Sequence, residues 1–161
     1  MSTPAEIIHA RPGEGAAFSA VGDVCRNLAT GAQTGGAYAL CEARVLPGGG
    51  PLPHVHRRED EAFFILEGAI TFTLGERRVV ATAGTFVQAP RDLPQAFKND
   101  GAVPARMLIM VTPPGFENFM AEFAQPLPSF DSPPLPVTPA DLERLAAVAP
   151  KYGLEILPPP Q

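Results

Sequence analysis

The 161-residue chain has no tryptophan, two cysteines and three histidines, and only 18% of its residues are charged. Each scarcity removes a class of protein. Two cysteines, Cys25 and Cys41, make neither a disulfide framework nor a CxxC metal knuckle. Twelve lysines and arginines against 17 acids give a net charge of -5, which leaves no basic surface for nucleic acid. No apolar run reaches membrane-spanning length, and no charged-then-apolar leader opens the chain, so no membrane partner is expected. The expected compartment is therefore cytoplasmic, with reduced thiols. If residues 30–36 (TGAQTGG) turn a hairpin centred near Gln33, the two cysteines face each other across it as small buried hydrophobes. Hydrophobic content of 45% belongs to an ordinary folded protein, and the length suits one domain with a proper core.

Proline is abundant and unevenly spread: 12 of the 20 lie between Pro113 and Pro160. Residues 1 to about 16 carry no periodicity, and spacing links His9 to nothing. From Phe18 onward, short β-runs alternate with glycine and proline punctuation. They are Val24–Ala29, Tyr38–Leu46, Ala62–Leu66, Ala69–Leu74, Arg78–Thr82, Thr85–Ala89, Ala96–Asn99 and Ala105–Thr112. Evenly spaced strands without intervening helices predict an all-β sandwich or barrel. The tail beyond Pro113 is expected to contain no sheet. Phe116, Phe119, Met120 and Phe123 recur at helical spacing there, and Thr138-Pro139 reads as the start of a second helix. The strip Pro126–Pro136 reads as an extended connector. Two segments result: 1–112, a barrel with N-terminal strands, and 113–161, a proline-rich extension whose two short helices pack on it.

The stretch HVHRREDEAFFILEG, His54 to Gly68, carries the chemistry. Residues at i and i+2 of a strand share a face, so His54 and His56 can converge on one point. Glu61 opens the next run and can return a carboxylate to that point. Two imidazoles and a carboxylate form a ligand set for one divalent transition metal (Fe, Ni, Mn, Cu or Zn) with open coordination positions. Parity puts Glu61, Phe63 and Ile65 on one face, with Ala62, Phe64 and Leu66 on the other; both faces are apolar and expected to be buried. With Glu61 facing the metal, Phe63, Ile65 and Phe97 line a small-molecule pocket, and Gln95 shares that interior. Arg57-Arg58-Glu59-Asp60 reads as a solvated loop with local ion pairs. Glu59 is an alternative ligand. Arg91 reads as exposed.

The same residues resemble the cupin superfamily. Gly48, five residues, His54-x-His56, four residues, Glu61, six residues and Gly68 look like its first motif. Gly84, five residues, Pro90 and then Asn99 look like its second. Asp92 stands where the family has glycine, and Gln95 stands where it has a fourth, histidine, ligand. The resemblance covers residues 18 to 112 and selects a double-stranded β-helix, a jelly-roll-type barrel. It is similar to bacterial single-domain, quercetin-dioxygenase-like cupins, with the tail's closing YGLEILPPP. That likeness implies His54, His56 and Glu61 as metal ligands and Glu61 as a base toward a flavonol- or diketone-like substrate. Gln95 is open to three readings: a fourth ligand through its amide oxygen, a hydrogen-bond donor to bound water or substrate, or the mark of a site that no longer holds metal. The function expected is a metal-dependent dioxygenase. The alternatives are a binding module without turnover and, last, a sugar or small-acid isomerase. A strand apolar on both faces and an aromatic tail helix predict a homodimer.

Overall fold

The computed structural model describes residues 6–159, so the outermost ends of both expected segments lie outside the described residues. Ten strands occupy the first part of the chain. They are β1 (Ala17–Ala20), β2 (Asp23–Ala29), β3 (Ala39–Val45), β4 (His54–His56), β5 (Asp60–Glu67), β6 (Ala69–Leu74), β7 (Arg77–Thr82), β8 (Phe86–Ala89), β9 (Gln95–Lys98) and β10 (Ala105–Thr112). All eight expected runs form, each within two residues of its expected ends. The tail adds α1 (Phe116–Phe123), β11 (Gln125–Leu127), α2 (Pro139–Val148), a 3-10 turn and β12 (Leu154–Ile156).

The strands make two antiparallel sheets, ordered β11-β1-β2-β3-β10-β5-β8 and β12-β4-β9-β6-β7. Their inner faces enclose a core of Phe63, Ile65, Ile70, Phe72, Met107 and smaller side chains. The rings of Phe63 and Phe72 meet at 4.8 Å in a tilted pair. Burying each such side chain contributes about 1.5–3 kcal/mol. This is the all-β barrel that the strand pattern predicts, of the jelly-roll type that the family resemblance selects.

The tail corrects one expectation, because it does contribute sheet. β11 pairs with β1 and β12 pairs with β4, each at the edge of its sheet. An edge strand has one unpaired side, which accommodates Pro126. β12 is a proline-free triplet between Gly153 and Leu157, too short to stand out by periodicity. The two helices form where expected. Thr138 accepts a hydrogen bond from the Asp141 amide while the Asp141 carboxylate accepts one from the Thr138 amide, which caps α2 at both orphan donors. α1 turns Phe119 and Phe123 inward against Leu145, Val148 and Leu154.

The outer face of β5 is a second correction. Phe64 is 41% exposed, so this strand is buried on one face alone. No helix among the described residues is long and apolar enough to cross a membrane.

Candidate metal centre

β4 is three residues long and fully extended, so His54 and His56 project to one side and Val55 to the other. Glu61, the second residue of β5, projects from the neighbouring sheet. Ligand atoms of His54, His56 and Glu61 all lie within 4.8 Å of one another, and all three side chains are buried. The sequence places these three together, and so does the fold.

Each imidazole is held by its other nitrogen. His54 Nδ1 donates to the Leu52 carbonyl at 2.8 Å, and His56 Nδ1 donates to Glu59 Oε1 at 2.7 Å. Such bonds fix the tautomer and leave Nε2 as the ligating atom. His56 Nε2 lies 2.9 Å from Glu61 Oε2, yet it has no hydrogen-bond partner among the described residues. An orphaned, buried nitrogen beside a buried carboxylate fits a divalent cation.

Electrostatics agree with the geometry. Burial pushes the Glu61 carboxyl up, but His56, His54 and the Gln95 amide outweigh it and hold the group below its ordinary range. Burial pushes His56 down, but Glu61 and Glu59 outweigh it and raise this imidazole to about 10. Burial lowers His54, aided by the neighbouring His56 and opposed by Glu61. The trio therefore attracts positive charge between His56 and Glu61, and a cation satisfies that demand.

Beside the trio lies a cavity of ≈ 100 Å³. Phe97 lines it as expected. Phe63 and Ile65 do not: they are 1% and 0% exposed and pack one layer deeper, with the Phe63 ring 5.8 Å behind Phe97. The strand's twist and the bulk of Phe97 put them in the core instead. Gln95 is buried and donates its amide nitrogen to Glu61 Oε2 at 3.1 Å.

Two contributors, Phe116 and Asp23, have no signal in the sequence, and a third, Glu59, is expected in a solvated loop with ligation as its alternative. Glu59 is 4% exposed, which corrects its expected place in a solvated loop; its neighbours Arg57 and Asp60 do form surface ion pairs, with Glu155 and Arg91. Phe116 of α1 closes the cavity, its ring 5.0 Å from that of His56. Asp23 of β2 lines the far wall. A carboxylate three residues after the second histidine was a signal for Glu59. Nothing local pointed to Phe116 or Asp23.

The cysteines also line this wall. They are free and half-buried, and they are diagonal neighbours rather than direct partners: Cys25 lies opposite Ala43, and Cys41 opposite Asn27. The connecting loop is centred one residue later than expected, near Thr34, which slips the register. Hydrogen bonding to Cys41 and burial push the Cys25 thiol up, so it stays protonated.

Residues 41–111 match the family model described as Cupin domain. Over 76 residues the chain is 33% identical to an uncharacterized protein of Methanocaldococcus jannaschii, a match covering 47% of this chain. That match spans 61% of the relative's own length. Among solved structures, a sugar phosphate isomerase from a cupin superfamily of Silicibacter pomeroyi is 26% identical at a TM-score of 0.50, over 56% of this chain and 59% of its own. A predicted oxalate decarboxylase of Thermotoga maritima aligns at a TM-score of 0.58 with 17% identity, over 66% of this chain and 97% of its own, which is a likeness of fold. Together with the strand order, these likenesses support the cupin superfamily.

Proposed function

We propose that this cupin barrel binds one divalent transition metal through His54, His56 and Glu61 and acts as a dioxygenase-like enzyme on a small oxygenated substrate. The convergence of three buried donors beside an apolar cavity carries the reading. When bound, the metal supplies Lewis-acid charge and open positions for small ligands. Glu59 and the Leu52 carbonyl orient the imidazoles, Gln95 steadies Glu61, and Phe97 and Phe116 give the cavity apolar walls. Fe, Ni, Mn, Cu and Zn all suit this donor set.

The cavity's size favours the smaller of the two expected substrate classes. At ≈ 100 Å³ it is below the roughly 150 Å³ that holds a benzene ring, so a flavonol leaves most of its rings outside and a diketone leaves less. An isomerase reading draws on the Silicibacter pomeroyi relative, but the charged groups lining the cavity besides the histidines are Asp23 and Glu61, and no lysine or arginine among the described residues lines it. A phosphate there meets carboxyls without a compensating cation. The binding module without turnover remains the alternative that assay decides.

The protein is proposed to work as a cytoplasmic homodimer. Phe64 and Phe86 are register partners on β5 and the edge strand β8, 41% and 60% exposed, and a second copy can cover them. Elemental analysis of protein purified without chelator, against a His54→Ala/His56→Ala double variant, tests the metal. Oxygen uptake by the iron-, nickel- and manganese-loaded forms with diketones and flavonols tests the reaction; uptake no faster than free metal sinks it.

A further inference from the structure

Alternate residues of β2, namely Asp23, Cys25 and Asn27, face the cavity, while Val24 and Arg26 face away. Asp23 is 6% exposed, and its Oδ1 has no hydrogen-bond partner among the described residues. The glycine loop after β3 closes upon it so tightly that a Cβ on Gly49 would come within 2.4 Å of that oxygen. Asp23 thus lines the cavity that His54, His56 and Glu61 also line, with one carboxyl oxygen packed unpaired against Gly49. An unpaired buried acceptor is costly unless something else uses it.

We propose that Asp23 is the group that exchanges a proton with the substrate, in place of the metal-side Glu61. This rests on the reading of the cavity as the site for a small enolisable compound. The Asp23 carboxylate takes the proton from the substrate's enol hydroxyl. The O–H bond breaks, its electron pair stays on the substrate oxygen, and Asp23 becomes a neutral acid hydrogen-bonded to the enolate. No oxidant or reductant is consumed in that step.

The charges around the two carboxyls separate their roles. Burial raises the Asp23 carboxyl to about 7, with a backbone hydrogen bond from Gly50 opposing the rise. Facing the cavity with it are His54 and His56 from β4, Glu61 from β5, Cys41 from β3 and Cys25 on its own strand. Glu61 is one of the three donors committed to the metal, which leaves Asp23 as the cavity carboxyl free to take the proton. A proton acceptor serves best when it titrates near the working pH, and Asp23 meets that condition.

The test uses zinc-loaded protein, which is redox-inert, with pentane-2,4-dione as the probe. At pH 8 the wild type is expected to convert the bound probe's ultraviolet band from enol to enolate, while the Asp23 carboxyl carbon moves to its protonated position by NMR. Asp23→Asn should keep its zinc and near-ultraviolet circular dichroism but leave the probe as the enol. Its turnover in the oxygen assay should fall about 100-fold or more. Asp23→Glu, which restores a carboxyl, should recover part of the enolate signal, a rescue that a packing role does not give. An enolate band in Asp23→Asn equal to wild type, or a wild type that leaves the probe as the enol, overturns the inference. Enolate formation without oxygen uptake by any metal form upholds Asp23 and sinks the dioxygenase reading alone.

Discussion

Leu154 lies in register opposite His56, so the last strand of the chain is hydrogen-bonded to the strand that carries both imidazoles. Gly153 and Pro53 carbonyls accept from the Arg57 and Leu157 amides at 2.9 and 2.8 Å, which clamps β4 at both ends. On its other side β4 meets β9 at one register pair, His54 with Gln95. The tail is therefore a structural support of the ligand strand.

Loosening that clamp should weaken metal binding. Gly153 has φ +67°, and a Cβ there would come within 2.9 Å of the Arg58 side chain. Gly153→Ala is expected to cost about 1–2 kcal/mol of stability. Metal affinity in a chelator competition should fall with it, while a matched change on the remote β6–β7 hairpin leaves affinity alone. Unchanged affinity in a destabilised Gly153→Ala would separate the tail from the site.

Glu59 is the acceptor that orients His56, through a 2.7 Å bond between two side chains that are both buried. Removing such an orienting carboxylate typically costs about 10–100-fold in metal affinity. Glu59→Gln keeps the volume and should lose affinity at the lower end of that range. Calorimetric metal titration gives the number. An effect under twofold would make Glu59 a packing residue.

Much of this was legible in the sequence. The period-2 runs located eight strands, and the HVH spacing brought His54 and His56 to Glu61, because strand parity is a local rule. Parity also assigned Phe63 and Ile65 to the right face. It could not say how deep along that face the cavity ends, which depends on Phe97 arriving from β9 in the opposite sheet. β11 and β12 were hidden because each is three residues long and owes its extended form to the edge it joins rather than to its own pattern. Asp23 and Phe116 come to the site from strand and helix distant in sequence, and no local spacing records such a meeting.

Gln95 occupies the β9 position opposite His54 and points its amide at Glu61. A neutral amide is a weak ligand, whereas imidazole suits Fe, Ni, Mn, Cu and Zn alike. Gln95→His should therefore tighten metal binding by about tenfold or more, equivalent to about 1.4 kcal/mol. Gln95→Ala should do the reverse, because Glu61 loses a donor that helps hold its charge. Chelator competition on the pair decides the matter: a Gln95→His variant that binds no better than wild type would show that the β9 side chain cannot reach the metal.

Asp23 makes the stability of the protein depend on pH, independently of any reaction. Its carboxyl titrates near 3.8 when unfolded and about 7 when folded, so the folded state holds the proton more tightly. Between those values the native state carries a proton that the unfolded state has lost, and stability falls as pH rises. The contribution is fully present below about pH 4 and gone above about pH 7. A shift of this size corresponds to about 2–4 kcal/mol. Asp23→Asn cannot ionise, so it should be more stable than wild type at pH 8 and lack the decline between pH 4 and 7. Urea unfolding of metal-free protein at pH 5 and pH 8 measures both arms. Equal pH dependence in wild type and Asp23→Asn would mean that another group carries the slope and that the buried carboxyl is better solvated than its surroundings indicate.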